Sequence, residues 1–338
     1  MKHLLYSTLA IAALALLAGC NKENVSSEKE GSPVEVTVSI VGDASTRATG
    51  TTYADESKVN SLQVFVFNNN DREAYRSVTG AMQALVPATA GQRSVWAVVN
   101  APDLSGIMTL SDLRNAATLL TDNAKDSFVM TGSVTQELFD GGNIPITVKR
   151  IVARVSIGKI STDLKDYRAG YSVRIEGIYM INVAAANKYD VGGEAASWVN
   201  KLGHADAACD ALLYDKVEGV TVKNGSPYEK EHAFYPYPNI HPTESETQTF
   251  SSTWDPRGSL LVIEATMFED DGTTVAAHGY YPIVLPAIDR NKTYIIDEVQ
   301  ITRLPGDVPY KPIETGETQV TIMVADWELG LNMGTVRI

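Results

Sequence analysis

The residues that could do chemistry are few, and the most informative stand at the start of the chain. Met1-Lys2-His3 is a short basic opening, followed by an apolar run from Leu4 to Leu17 and then Leu17-Ala18-Gly19-Cys20. The run is too short, and too polar around Tyr6-Ser7-Thr8, for a comfortable membrane span, so it reads as a signal peptide. Small side chains before a cysteine let a signal peptidase reach the backbone, and the freed thiol of Cys20 then takes a diacylglycerol. Residues 1–20 are therefore expected to be a lipoprotein signal, with the precursor tethered to a bacterial envelope membrane through Cys20. Cleavage there leaves Cys209 as the one unmodified thiol, expected to be a small buried hydrophobe within Ala205–Leu213. Two cysteines exclude a disulfide framework and a thiolate zinc site.

No other residue set nominates a reaction. The chain has no G-x-S-x-G, P-loop, G-x-G-x-x-G after a strand, or H-E-x-x-H. No two histidines stand at metal-ligand helical spacing; His232 and His241 flank Phe234-Tyr235-Pro236-Tyr237-Pro238 and read as loop histidines. Glu269-Asp270-Asp271 before Gly272 reads as a solvated hairpin turn in preference to a calcium loop. The expectation is a non-enzyme without catalytic residues, cofactor or metal. Two rival classes stay open on residues alone. One is a surface glycan-binding lipoprotein that stacks sugars on Trp254, Tyr235 and Tyr237. The other is a glycoside hydrolase with two facing acids, for which no pair stands out.

The elements that would position these residues are mostly strands. The chain has 338 residues, enough for two domains, with 44% hydrophobic and 20% charged residues, the balance of a globular protein. Acids exceed bases by 41 to 28, and the net charge of −13 argues against nucleic acid as a partner. Tyr outnumbers Phe, 15 to 7, which suits half-buried sheets. Val34-Glu35-Val36-Thr37-Val38-Ser39-Ile40 alternates strictly and predicts a half-buried strand over 34–41. A loop of turn residues, 42–54, follows with Arg47 near its middle. Further strands are expected over 62–67, 94–99, 144–148, 152–160, 173–183, 260–267, 280–285, 293–301 and 319–325. Helices are expected only over 111–120, 195–202 and 205–213. The fold class is all-β, two β-sandwich domains with few short helices, divided at the polar stretch Ser161–Gly170.

The chain's end is unusual. Val320, Ile322 and Val324 share one face; the phase slips at Asp326, and Trp327, Leu329, Leu331 and Met333 resume the alternation. Such a slip predicts a bulge or bend between two extended segments. Chain ends are usually frayed and polar, whereas this one stays apolar to Ile338 and needs somewhere to be buried.

Several segments together resemble the type V pilin family, the FimA- and Mfa-like fimbrillins of Bacteroidetes. They are the lipobox at Cys20, the strand 34–41 with Arg47 after it, Lys58–Phe67, Val95–Pro102, Val129–Ser133 and Arg150–Val155. Ile178–Val183, Phe234–Asn239, Arg290–Tyr294, Ile301-Thr302-Arg303 and Asp326-Trp327 complete the series. The resemblance implies transthyretin-like β-sandwiches and assembly by strand exchange. An arginine-specific protease would cut between Arg47 and Ala48 and release a lipidated propeptide, 21–47, carrying the strand Val34, Val36, Val38 and Ile40. Residues 48–165 would form the N-terminal sandwich. Residues 166–338 would form the C-terminal one, its tail donating Trp327, Leu329, Leu331 and Met333 to the emptied groove of a neighbour. The expected partners are other fimbrial subunits, the protease and, for the precursor, the outer membrane. The expected setting is a cell-surface fimbria mediating adhesion, in which this chain is a stalk-type subunit.

The two alternating segments support that implication independently, because either could fill one row of alternating pockets by strand addition. At roughly 1.5–3 kcal/mol per buried aliphatic side chain, losing four costs on the order of 6–12 kcal/mol. That rivals the stability of a whole domain. Digestion of the precursor by an arginine-specific protease is expected to cut first after Arg47, and N-terminal sequencing should then read from Ala48. A first stable product that begins elsewhere, with Arg47 intact, removes this trigger.

Overall fold

A computed structural model describes residues 30–41, 56–190, 197–240, 258–311, 323–327 and 335–337. The first half carries β1 (Pro33–Val41), β2 (Ser61–Asn68), β3 (Asp71–Thr79), β4 (Gln83–Thr89) and β5 (Gly91–Val99). Then come α1 (Leu110–Asn115), β6 (Ala117–Leu119), β7 (Met130–Leu138), β8 (Asn143–Thr147) and β9 (Lys149–Arg150). The second half continues with β10 (Arg154–Thr162), β11 (Ser172–Ile181), β12 (Val183–Ala184), β13 (Ala186–Lys188) and β14 (Trp198–Val199). After α2 (Asp210–Leu213) follow β15 (Tyr214–Lys223), β16 (His232–Phe234), β17 (Leu260–Phe268), β18 (Val275–Val284) and β19 (Lys292–Ile301). Two short strands, β20 (Met323–Asp326) and β21 (Thr335–Arg337), end the series. The chain is all-β in character, as its composition implies.

The N-terminal sandwich packs a three-stranded sheet, β4-β1-β8, on a five-stranded one, β3-β2-β5-β7-β9. Period two explains its core. In β2, Leu62, Val64 and Val66 meet the inward face of β1, while Phe65 and Phe67 point to the opposite side and join a second core. In β5, Val95, Ala97 and Val99 face β1, and Trp96 and Val98 face away. Strands buried on both faces read as unbroken apolar runs, which is why β2 and β5 show no polar alternation. Gly132 is required where β7 crosses the end of β8, since a Cβ there would collide with the carbonyl oxygen of Thr147.

The C-terminal sandwich pairs the sheet β16-β10-β19-β20, with β21 also on β19, and the sheet β15-β11-β17-β18. Its first strand, β10, lies between β16 and β19, parallel to β19 from Arg154↔Thr293 to Thr162↔Ile301. The passage between sandwiches thus falls near Ile151-Val152-Ala153, ahead of the boundary expected at Ser161–Gly170. The polar stretch chosen for that boundary is the end of β10 and a 3-10 turn at Asp166–Arg168. The crossover itself is wholly buried, so composition does not mark it.

The two halves are cemented by more than the chain. Arg290, ahead of β19, donates from Nη1 to Asp190 O at 2.7 Å and from Nη2 to Thr131 Oγ1 at 2.6 Å. β6 pairs with β13, joining Ala117–Leu119 to Ala186–Lys188. Asn100, at φ 56°, takes a left-handed conformation that asparagine tolerates. Its Oδ1 accepts from Asn60 N and Ser61 N, and its Nδ2 donates to Lys58 O and Phe128 O. One side chain thus braces the entry to β2 and the approach to β7.

Helical expectations hold only in part. The helix expected over 111–120 stops at Asn115, because Ala117–Leu119 pair with β13 instead. Tertiary pairing overrides local propensity there. The helix expected over 205–213 is a 3-10 turn at Ala207–Cys209 running into α2. Within 195–202, the described residues hold the short strand β14. The strands β3 and β15 went unanticipated because their exposed positions are largely charged or polar.

Inward and outward substitutions on the three-stranded sheet should separate cleanly. Val36→Ala or Val38→Ala in β1 is expected to cost about 2 kcal/mol each, the loss of buried carbon plus a cavity. Leu85→Ser on β4, opposite Thr37 and 52% exposed, is expected to change stability by less than about 0.5 kcal/mol. Chemical denaturation of the uncleaved precursor checks this; equal effects on the two faces would contradict the register.

Candidate functional site

β1 is the middle strand of its sheet. It runs antiparallel to β4, from Pro33↔Thr89 to Ser39↔Gln83, and parallel to β8, from Thr37↔Asn143 to Val41↔Thr147. The pairing extends past both ends: Gly31 N donates to Ala90 O, Ala90 N to Ser32 O, and Ile40 N to Met82 O, at 2.8–2.9 Å. On the β8 side, Thr37 N donates to Gly142 O and Gly141 N to Glu35 O, each at 2.9 Å. Val34, Val36, Val38 and Ile40 are all buried, Val36 and Val38 completely. The sequence reading of this strand and its inward face is therefore met residue for residue. Covalently, β1 continues into the fold only through residues 42–55. Cys20, Arg47 and Ala48 lie outside the described residues.

Without β1, the sheet would separate into β4 and β8, with two rows of backbone groups unpaired and an apolar trough between them. That trough would be floored by Leu62, Val64, Val66, Val95, Ala97 and Val99. An open groove of this kind has one chemical capacity, which is to bind an extended segment with small apolar side chains at every second position.

The C-terminal end is also seated in its own chain. β20 runs antiparallel to β19, from Lys292↔Asp326 to Ile295↔Met323, and β21 runs parallel to it, from Glu298↔Thr335 to Gln300↔Arg337. Both occupy the same edge of β19, one beyond the other. The phase slip at Asp326 is the end of β20, where the chain turns. Trp327, expected among the donor side chains, is 6% exposed and packed within its own chain in this single subunit. Leu329, Leu331 and Met333 lie outside the described residues.

Around Trp327 is a cluster drawn from six parts of the chain. Its Nε1 donates to Glu56 Oε2 at 3.2 Å, and Tyr235 Oη donates to Glu56 Oε1 at 2.6 Å. Arg154 Nη1 stands 3.7 Å from Glu56 Oε2, and Arg154 Nη2 donates to Glu231 Oε1 at 2.8 Å. The Arg150 guanidinium lies 4.7 Å from the centre of the indole, and its Nε donates to Glu56 O at 2.9 Å. Tyr235 and Phe128 close the aromatic side, with centroids 5.9 Å from that of Trp327. Trp327 N donates to Asn291 O at 3.2 Å. Glu56, Arg154 and Trp327 are nearly solvent-free, so each charge depends on its partners inside the cluster: Glu56 on Tyr235, Trp327 and Arg154, and Arg154 on Glu231 as well as Glu56. Sequence reasoning missed this cluster, although its signal was present: Arg150 and Arg154 bracket an apolar run, and a charge there needs a buried partner.

The remaining candidates resolve into structural roles. Tyr235 and Tyr237 are completely buried and cannot stack a sugar. Burial pushes the Tyr237 phenol well above its ordinary value, and its hydroxyl donates to Leu119 O at 2.8 Å. Trp254 and His241 lie outside the described residues. His232 is buried between Asp215 Oδ2 at 3.0 Å and Tyr228 Oη at 3.1 Å. Cys209 is 3% exposed, and burial raises its thiol. Asp271 closes the turn expected there, accepting from the Thr274 hydroxyl and from Thr274 N and Thr273 N; those bonds, the hydroxyl's foremost, hold its carboxyl down at about 2. No group of three or more metal-ligating side chains occurs among the described residues.

Comparison with known proteins agrees with this architecture. Residues 32–168 match the sequence model of the family described as major fimbrial subunit protein (FimA). A major fimbrium subunit FimA type-3 of Porphyromonas gingivalis is 24% identical, with 97% of this chain and 98% of the relative covered. A FimA type-2 from the same organism is 25% identical with the same coverage. The crystal structure of a fimbrilin (fimA) from P. gingivalis W83 superposes with a TM-score of 0.63 at 15% identity, over 91% of this chain and 97% of that one. Residues 32–168 thus resemble the FimA family, and the chain is similar from end to end to FimA subunits and shares the fold of a solved fimbrilin.

Proposed function

We propose that this chain is a structural subunit of a cell-surface fimbria, secreted as a lipoprotein and assembled by strand exchange. The family is that of fimbrial subunits, and a structural role without catalysis fits it. The observation that carries the finer reading is the position of β1. It is a central strand, yet it lies at the chain's start and joins the fold through a single segment that contains Arg47. A cut after Arg47 frees its covalent end. The lipid on Cys20 would leave with it, releasing the subunit from the outer membrane. The vacated groove then has a strong drive to take another strand, since four aliphatic side chains and two sheet edges have lost their cover.

The replacement strand must be apolar at every second residue. The tail after Trp327 meets that pattern with Leu329, Leu331 and Met333. Among the described residues beyond Trp327, the tail pairs with its own subunit through the three residues of β21, on the edge of β19. A tail that can leave and a groove that can be emptied, in one chain, describe a stalk-type subunit that can serve both neighbours. The glycan-binding alternative loses two of its three platforms with the burial of Tyr235 and Tyr237.

The test compares precursor stability with fibre yield. A precursor lacking residues 1–20 is expected to run as a monomer on size exclusion while β1 fills its groove. If the tail serves a neighbour, deleting residues 329–338 should shift its melting temperature by no more than about 3 °C. The same deletion should abolish fibres after cleavage at Arg47, as seen by negative-stain electron microscopy. Leu331→Asp should act likewise, because an unpaired carboxylate in an apolar groove costs several kcal/mol. Undiminished fibres from the deleted chain, or a precursor that melts far below wild type, would overturn this assignment of the tail.

A further inference from the structure

The residues on either side of Trp327 are held very differently. Upstream, β20 continues the edge of β19 directly into the buried indole. Downstream, the described pairing amounts to the three residues of β21. Trp327 is therefore a fixed point at the root of the tail.

We propose that the cluster of Glu56, Arg150, Arg154, Tyr235 and Trp327 is an anchor that keeps the root of the tail in its own subunit while the tail beyond it engages a neighbour. The proposal rests on the strand-exchange reading and deepens it by dividing the C-terminal segment into a retained part and a donated part. Three observations favour retention. The side chains that β1 places in its trough are three valines and one isoleucine, so pockets of that size would have to be rebuilt to admit an indole. Both nitrogens of Trp327 already have partners in its own chain, Nε1 on Glu56 and the backbone N on Asn291 O. Withdrawing the ring would also leave a large void between Arg150, Tyr235 and Phe128.

The composition of the anchor gives it a mechanical meaning. Glu56 and Phe128 belong to the N-terminal sandwich, Arg154 and Tyr235 to the C-terminal one, and Arg150 stands at the crossover. A pull on the tail would reach both sandwiches through Trp327. Without the indole it would fall on β20, a strand of four residues.

The test uses the precursor and the fibres made from it, with Glu56→Gln and Trp327→Phe. Glutamine keeps the shape but turns one acceptor into an amide donor facing the Arg154 and indole donors, or the Tyr235 hydroxyl. In the uncleaved precursor, hydrogen exchange at Met323–Trp327 should rise about tenfold for Glu56→Gln, as a buried charge-assisted contact is lost. Trp327→Phe keeps a six-membered ring but loses the donor and part of the indole's volume, so a rise is expected there too. It decides the question alone if the Glu56 variant fails to fold. In fibres, acrylamide quenching assigned to Trp327, as the difference between wild type and Trp327→Phe, should match the precursor. Single-fibre pulling should find Glu56→Gln fibres breaking at lower force. Wild-type exchange rates in both variants, or a solvent-exposed Trp327 in fibres, would overturn the anchor while leaving strand exchange standing. Failure of cleaved wild-type chain to form any polymer would instead fell strand exchange, and the anchor with it.

Discussion

A strand in the middle of a sheet needs a neighbour on each side, and the N-terminal sandwich meets that need with the strand nearest the chain's start. β1 supplies the central row of side chains between the three-stranded sheet and β2 and β5, and it connects β4 to β8. Its nine residues hold the two sheets of this sandwich together. The five-stranded sheet beneath them stays supported, because its other face is buried against the rest of the chain through Phe65, Phe67 and Trp96.

That second face ties the N-terminal sandwich to the rest of the molecule. The core reached by Phe65 and Trp96 runs without interruption into the C-terminal sandwich. Arg290 and the β6–β13 pairing add polar and backbone links across the same junction. At its centre sits a carboxylate, Glu56, that accepts from a tyrosine and a tryptophan and faces an arginine. Burying a charge is costly unless each oxygen is occupied, and here both are. The junction is thus specific as well as apolar, which fixes how the two sandwiches meet.

The parts legible in the sequence are those governed by period two. Val34, Val36, Val38 and Ile40 were identified because a strand with one buried face alternates. The bend at Asp326 was legible for the same reason. The boundary was not, because the real crossover is the apolar Ile151-Val152-Ala153, which resembles any strand interior, while the polar stretch at Ser161–Gly170 only ends one. The burial of Tyr235 and Tyr237 was not legible, because an aromatic residue beside a proline looks alike whether it faces solvent or core. The Glu56–Trp327 contact joins residues 271 positions apart, and no local pattern encodes a pairing of that reach.

The mixed pairing of β1 has a directional consequence. An antiparallel neighbour and a parallel neighbour use different hydrogen-bond patterns, so β4 and β8 together accept a strand in one orientation and penalise the reverse. A polymer built through this groove would then have an arrow. Each subunit would point the same way as the last, and the contact would be heterologous, joining unlike surfaces with no symmetry that closes a ring at two. The two ends of such a filament would differ chemically, one showing an unfilled trough and the other an unspent tail. Growth, capping and attachment to the cell could each be assigned to a different end by a protein that reads only one of those two surfaces.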